Sequence, residues 1–109
     1  DSILAAGLGD GSYNVWGFDV IVKDGIATLE DGTIAGSVIT LNQAVRNAVE
    51  LLGIPAHEAF GMAARVPFEV LGMGGRAGVL EKGAAADIAV FDIAFECTAC
   101  FIGGRPVQL

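Results

Sequence analysis

The hydrophobic and polar positions change period twice along the chain, from a strand-like beginning to a helical middle and back to strands. In the first part, FDVIVK and IATLE flank Asp24-Gly25, a dipeptide that tolerates positive φ and suits the two-residue turn of a β-hairpin. Asp31-Gly32 is a second turn signal and leads the chain into TIAGS. The beginning therefore predicts a hairpin, a turn and an elbow of small residues.

The next segment has the spacing of an amphipathic helix. Thr40 and Gln43 stand at capping-box spacing, which predicts that the helix begins there, and Gly53 supplies the stop. The apolar face of this helix is formed by Leu41, Ala44, Val45, Ala48, Leu51 and Leu52.

A second helix is predicted over AHEAFGMAARV. Pro55 fits its first turn because the missing amide would be unpaired there anyway, and Val66-Pro67 is expected to end or kink it. A helical turn, PFEVLG, follows, and GMGGRAG then has too many glycines for regular structure. We expect that stretch to be a linker.

The last third returns to strand-like segments. DIAVFD, AFECTACFI and RPVQL read as strands divided by turns, among them Gly103-Gly104. A hairpin, a helix pair and a final sheet do not form an obvious self-contained core. The predicted fold class is therefore α/β, and the chain is expected to be the end of a larger protein.

Composition supports that expectation. The 109 residues allow one modest domain, yet 53% are hydrophobic and only 17% are charged, and the mean hydropathy is +0.61. A net charge of −7 argues against nucleic acid as a partner. No apolar run is long enough for a membrane span and no leader precedes the first strand, so a cytoplasmic protein without a membrane partner is predicted.

Candidate chemistry is sparse. Cys97 and Cys100 have C-x-x-C spacing, but three steps along a strand reverse the face, so two reduced cysteines are expected rather than a metal or redox pair. His57 is the only histidine and cannot furnish the three ligands of a catalytic zinc site, so a surface role is expected. GLGDG and GMGGRAG lack the strand-to-helix context of a phosphate-binding loop. The spacing of these residues therefore does not identify a reaction.

Two longer stretches carry a family resemblance. GVLEKGAAADIAVFD, Gly78 to Asp92, resembles the closing signature of the amidohydrolase superfamily, and ACFIGGRPV is similar to its terminal strand, turn and strand. DGTIAGSVITLNQAVRNAVELLGI resembles the N-acetylglucosamine-6-phosphate deacetylase family within it. The resemblance covers essentially the whole chain and implies the C-terminal portion of such an enzyme.

The resemblance implies a fold and a division of the chain. Residues 1–72 would be the end of a (β/α)8 metal-dependent hydrolase barrel, with the end of strand 8, a hairpin-bearing loop and the last helices. Residues 73–109 would be the closing strands of a small β-sandwich domain. The implied partners are the missing N-terminal barrel portion and a second copy in a homodimer.

The resemblance also implies site residues. Asp1 would be the catalytic carboxylate at the end of a barrel strand, where barrel enzymes carry their chemistry. A divalent metal, zinc or similar, bound by residues outside this chain, would polarise the N-acetyl carbonyl and acidify water while Asp1 transfers the proton to the departing amine. The products would be glucosamine 6-phosphate and acetate.

The elbow would take part in substrate binding. The resemblance assigns the backbone of Ile34, Ala35 and Gly36 to the pocket for the amino-sugar phosphate, because small residues let the main chain approach a sugar closely. An elbow that merely admits the following helix is the alternative. The segment GMAARVP departs from the family pattern, with Ala64 and Val66 at positions that are polar in many relatives.

Two other functions stay open. A different amidohydrolase, such as a cyclic amide hydrolase or a deaminase, is the nearest rival, although the AGS segment argues against it. A non-catalytic α/β interaction module with an exposed apolar face is the rival from another class. Because the metal ligands of the family would precede Asp1, this chain alone is not expected to catalyse.

Overall fold

A computed structural model describes residues 1–109 as two compact units, residues 1–40 and residues 41–109. Each unit contains a three-stranded antiparallel sheet, and the second also contains the helices, so the α/β class is confirmed. The strands are β1 Gly11–Val15, β2 Phe18–Lys23, β3 Ile26–Thr28, β4 Ile88–Phe91, β5 Cys97–Ile102 and β6 Arg105–Val107. The helices are α1 Leu41–Glu50, α2 Ala56–Ala63 and α3 Arg65–Val70.

The sheet of the first unit is a meander in the order β1-β2-β3. The predicted hairpin is confirmed: Asp24 and Gly25 join β2 to β3 with φ of 52° and 74°. A second tight turn, Trp16-Gly17, has φ of 51° and 91° and joins β1 to β2. Strand β1 was not predicted as a separate element, because a tryptophan at positive φ is not a recognisable turn signal.

One face of this sheet forms the core of the first unit. Residues on β2 alternate, so Val20 and Val22 are 2% and 4% exposed while their neighbours on the strand face outward. Ala27 on β3 lies opposite Val22 and packs on the same side, with Ala5 from the first segment. The core is thus made of small side chains supplied by the hairpin and by the chain that precedes it.

Helix α1 begins where the sequence predicts, but its start differs in detail. The prediction of a capping box is wrong. The Gln43 side chain does not turn back toward Thr40, and its Nε2 instead donates to Asn47 Oδ1 at 2.8 Å. The predicted stop is confirmed: Gly53 has φ of 69°, and the amide of Ile54 donates to the carbonyl of residue 48 at 3.1 Å. The amide of Gly53 donates to the carbonyl of Val49 at 3.2 Å, which is the hydrogen bond of an αL C-cap.

The second predicted helix is interrupted earlier than expected. The break lies at Ala64, with φ of −123° and ψ of −75°, and not at Val66-Pro67. Pro67 sits in the first turn of α3, where a missing amide costs no helical hydrogen bond. The sequence rule that proline ends a helix therefore does not apply here.

The glycine-rich stretch after α3 has no regular structure, as predicted, and only its end, at Ala77 and Gly78, is closely packed. Ala77 is buried, and a Cβ on Gly78 would lie 2.6 Å from Cδ2 of Phe68 on α3. Gly78 also has φ of 70°, which disfavours any side chain. The amide of Ala85 donates to the carbonyl of Arg76 at 2.7 Å and leads the chain toward β4.

The sheet of the second unit is a meander in the order β4-β5-β6, which confirms the three predicted strands. Asp87, at the end of the signature segment, accepts a hydrogen bond from the amide of Gly103 at 2.7 Å. Phe60 of α2 packs against Phe91 and Phe95, with ring centroids 5.2 Å and 6.0 Å apart. These contacts fix the β5–β6 turn and attach α2 to the sheet.

Many large apolar side chains remain at the surface of both units. The buried hydrophobic residues are all valine or alanine. The most exposed large apolar residues are Trp16, Ile34, Leu51, Leu52, Val70, Leu71, Leu80 and Ile93. None of the helices is long and apolar enough to cross a bilayer.

Candidate active site

The elbow that follows the Asp31-Gly32 turn is attached on one side to the hairpin sheet. Ile34 pairs with Thr28 in an antiparallel bridge. The amide of Ala35 donates to the carbonyl of Ala27 at 2.9 Å. The elbow therefore lies antiparallel beside β3 and pairs with its last two residues.

On its other side the elbow is attached to the beginning of the chain. Ser37 pairs with Ser2 in a parallel bridge. Its amide donates to the carbonyl of Asp1 at 2.6 Å, and its carbonyl accepts from the amide of Ile3 at 3.2 Å. The two predicted parts of the site, Asp1 and the elbow, are thus brought together by main-chain hydrogen bonds.

Gly36 lies at the point of closest approach. A Cβ placed on this residue would be 2.7 Å from Cγ2 of Ile3 and 2.9 Å from the carbonyl oxygen of Asp1. It would also be 3.3 Å from Oδ2 of Asp1, so the carboxylate lies directly over the glycine. The φ of Gly36 is 113°, a conformation that L side chains rarely adopt.

The groups that the resemblance assigns to chemistry are accessible. Asp1 and Ile34 are exposed, while Ala35 and Gly36 are half-buried against the hairpin core. A carboxylate and an exposed main chain therefore lie side by side on the surface of the first unit. This arrangement can accept and donate protons and can offer backbone hydrogen bonds to a polar ligand.

The turn that presents the elbow is stabilised by a carboxylate. Asp31 Oδ1 accepts a hydrogen bond from the amide of Thr33 at 2.9 Å. This bond, with a second one from the Thr33 hydroxyl, holds the pKa of Asp31 below its ordinary value of 3.8. The amide of Leu29 donates to the Thr33 carbonyl at 2.8 Å and closes the turn.

The chain does not contain the residues of a metal site. No group of three histidine, cysteine, aspartate or glutamate side chains comes together anywhere in it. His57 has an 83% exposed side chain, and its Nε2 lies 3.9 Å from Oε1 of Glu58. Cys97 and Cys100 are both free thiols. The residues present therefore do not fit a metal ion on their own.

A hollow elsewhere on the first unit is not part of this arrangement. It has a volume of about 270 Å³ and lies on the outer face of β1 and β2, lined by residues that include Asn14, Asp19 and Glu30. Neither Asp1 nor the elbow contributes to it. The candidate site is therefore defined by the approach of two chain segments and not by a cavity.

Sequence reasoning missed the residues that join the two segments. Ser2, Ile3 and Ser37 hold or crowd the site, yet none was singled out. The bridge consists of main-chain bonds from Ser37 to Asp1 and to Ile3, on either side of Ser2. No side-chain signal in the sequence could have identified them, because every residue except proline offers the same amide and carbonyl.

The chain was compared with known proteins. The sequence model described as "Amidohydrolase family" matches residues 16–107. An N-acetylgalactosamine-6-phosphate deacetylase of Escherichia coli O157:H7 is 35% identical over 105 residues, which cover 96% of this chain and 28% of that protein.

Two solved structures have the same fold over nearly the whole chain. An N-acetylglucosamine-6-phosphate deacetylase from Pasteurella multocida gives a TM-score of 0.94 at 30% identity, covering 100% of this chain and 29% of that one. The second is an aspartate-to-alanine variant of N-acetyl-D-glucosamine-6-phosphate deacetylase from Mycobacterium smegmatis in complex with N-acetyl-D-glucosamine-6-phosphate. It gives a TM-score of 0.82 at 34% identity, covering 96% of this chain and 28% of that one. The chain spans between 23% and 63% of the length of the curated relatives it matches.

Proposed function

This chain belongs to the amidohydrolase family, and we propose that it is the C-terminal portion of a metal-dependent deacetylase acting on N-acetylglucosamine 6-phosphate. The observation that carries the proposal is the placement of the Asp1 carboxylate over Gly36 of the elbow, in a chain that matches deacetylases along almost its full length. The products are glucosamine 6-phosphate and acetate.

The substrate class rests on the relatives. Those named above are deacetylases of N-acetylglucosamine 6-phosphate or of its galactosamine counterpart. One of them, a variant that lacks an aspartate, was solved with N-acetyl-D-glucosamine-6-phosphate bound. We therefore propose N-acetylated amino-sugar phosphates as the substrate class of this chain, with N-acetylglucosamine 6-phosphate as the preferred substrate.

Asp1 supplies the proton transfer in this reaction. Hydrolysis of an amide needs a group that takes a proton from the attacking water and delivers it to the departing nitrogen. Oδ2 of Asp1 is one of the three atoms nearest to the position that a Cβ on Gly36 would take. The main chain of Ile34, Ala35 and Gly36 then contacts the sugar, since its exposed side offers donors and acceptors at close range.

The rest of the parent protein supplies what this chain lacks. Family membership implies a divalent metal that activates water, and its ligands lie outside these residues. Residues 1–72 close a (β/α)8 barrel and residues 73–109 close the small β-sandwich. The exposed apolar side chains support this proposal, because barrel helices and sandwich strands bury such surfaces against their neighbours. The proposed parent protein is cytoplasmic and forms a homodimer.

The test uses the full-length parent protein, loaded with zinc, and measures acetate release. N-Acetylglucosamine 6-phosphate, its galactosamine epimer and a cyclic amide form the substrate panel. Asp1→Asn is expected to lower kcat by roughly 10²- to 10⁴-fold, the usual contribution of a positioned acid–base group. Asp24→Asn is the matched control, because it makes the same charge change in an exposed hairpin turn that tolerates asparagine.

Each result assigns a function. Turnover of the amino-sugar phosphates that falls in Asp1→Asn and persists in Asp24→Asn supports the proposal. Preferential turnover of the cyclic amide would assign the chain to a different amidohydrolase. Equal activity in the two variants would remove Asp1 from the chemistry.

A further inference from the structure

We infer that Gly36 is a positioning residue for the catalytic carboxylate: its missing side chain leaves the space in which Asp1 holds its working orientation. This inference rests on the proposed function, since it needs Asp1 to transfer the proton. It adds a role that the backbone contact with substrate does not include. That role acts through Asp1 and requires glycine at one position of the elbow.

The argument begins with the atoms around Gly36. A Cβ would stand 2.9 Å from the Asp1 carbonyl oxygen, a distance that real Cβ atoms essentially never show. It would also stand 3.3 Å from Asp1 Oδ2, closer than most such contacts. Both the main chain and the carboxylate of Asp1 would therefore have to move.

The main chain cannot yield without a loss elsewhere. The same Asp1 carbonyl accepts the 2.6 Å bond from the amide of Ser37, which is the residue next to Gly36. Moving Asp1 away from a new methyl group would stretch this bond and the parallel bridge between Ser2 and Ser37. Moving Gly36 away would instead break the bond from Ala35 to Ala27. Either movement shifts Asp1 relative to the elbow, and the carboxylate shifts with it.

Ile3 offers a competing explanation that has to be separated. Its Cγ2 would be only 2.7 Å from the new Cβ, so part of any loss would come from crowding in the hairpin core. Removing the Ile3 side chain relieves this contact but leaves both contacts with Asp1. A double substitution therefore distinguishes damage to packing from displacement of the carboxylate.

The chain also offers a control for backbone strain. Gly32 lies in the same loop with φ of 84°, and a Cβ there would meet no atom within 4 Å. Gly32→Ala and Gly36→Ala both place alanine at positive φ. Only the second substitution also crowds Asp1.

The experiment measures kcat, KM and Tm of the full-length, zinc-loaded parent with N-acetylglucosamine 6-phosphate. Gly36→Ala is expected to lower kcat by about tenfold, because the new Cβ requires a shift of a few tenths of an ångström and a full 1 Å would cost about a hundredfold, while KM changes less than kcat. Gly32→Ala should keep kcat within about twofold, since its Cβ meets nothing. Adding Ile3→Ala to Gly36→Ala should leave kcat low, because both contacts with Asp1 remain.

Three outcomes overturn the inference. They are equal kcat in the two single variants, recovery of kcat when Ile3→Ala is added, and a rise in KM with kcat unchanged. If the wild-type parent hydrolyses no amino-sugar phosphate, the proposed function fails, and crystal structures of the same variants still decide the positioning. A carboxylate of Asp1 that moves by a few tenths of an ångström in Gly36→Ala and stays in Gly32→Ala supports it, and an unmoved carboxylate refutes it.

Discussion

Asp87 stabilises the turn between β5 and β6, and Asp87→Ala in the full-length parent is expected to loosen that turn. Asp87 Oδ1 accepts from the amide of Gly103 at 2.7 Å, and the amide of Gly104 donates to the carbonyl of Ala86 at 2.8 Å. Both glycines have positive φ, 55° and 76°. The side chain of Asp87 therefore adds a hydrogen bond to a turn whose two glycines adopt positive φ without strain.

The magnitude follows from the type of bond. A hydrogen bond to a charged acceptor contributes about 1.5–3 kcal/mol, and the exposure of Asp87 places it at the lower end, near 1–2 kcal/mol. A loss of that size raises the open fraction of the turn by roughly 5- to 30-fold. Asp87→Asn keeps an oxygen acceptor without the charge and is expected to lose less than half as much.

The assay is amide hydrogen exchange over residues 97–109 in the intact parent. Exchange at Gly103 should accelerate in Asp87→Ala by the factor given above and much less in Asp87→Asn, while exchange within the first hairpin stays unchanged. An unchanged rate at Gly103 in Asp87→Ala, or equal acceleration in both variants, would refute the reasoning. The first result would mean that the turn holds without this acceptor.

Two further predictions concern the linker and the elbow turn. Gly78→Ala is expected to destabilise the parent by about 1–3 kcal/mol more than Gly75→Ala, because both place alanine at positive φ but only the first meets Phe68. Equal Tm losses in thermal unfolding would contradict this. Thr33→Val is expected to raise the pKa of Asp31 part of the way toward its ordinary value of 3.8, since the hydroxyl bond is lost and the amide bond stays. The depressed pKa adds stability that is present above pH 3.8 and is lost as the pH falls through the folded pKa, so the variant loses it at higher pH. An unchanged Asp31 titration by NMR would refute that assignment.

Elements controlled by local chemistry could be predicted from the sequence. Asp24-Gly25 and Gly103-Gly104 form the turns expected of them, because glycine and aspartate tolerate positive φ wherever they occur. Gly53 ends α1 for the same reason. In each case the preference belongs to the residue and its neighbours, so it survives in the folded chain.

Elements that depend on competing partners could not be predicted. Gln43 is placed for a capping box, yet Asn47 is within reach on the same helix and takes its amide. The helix break at Ala64 places Pro67 in the first turn of α3, and the sequence carries no signal for a break at that alanine. The domain boundary between residues 72 and 73 stays a prediction.

The sequence by itself determined the residue types of the candidate site: a carboxylate at Asp1, small residues in the elbow and no set of metal ligands. Only the tertiary structure placed the Asp1 carboxylate over Gly36, through the bridge between Ser2 and Ser37. The physical reason is that this bridge consists of main-chain hydrogen bonds, and the amide and carbonyl groups that form them are alike at almost every residue. Which pair meets is decided by the packing of the hairpin core, and so is the requirement for glycine at residue 36.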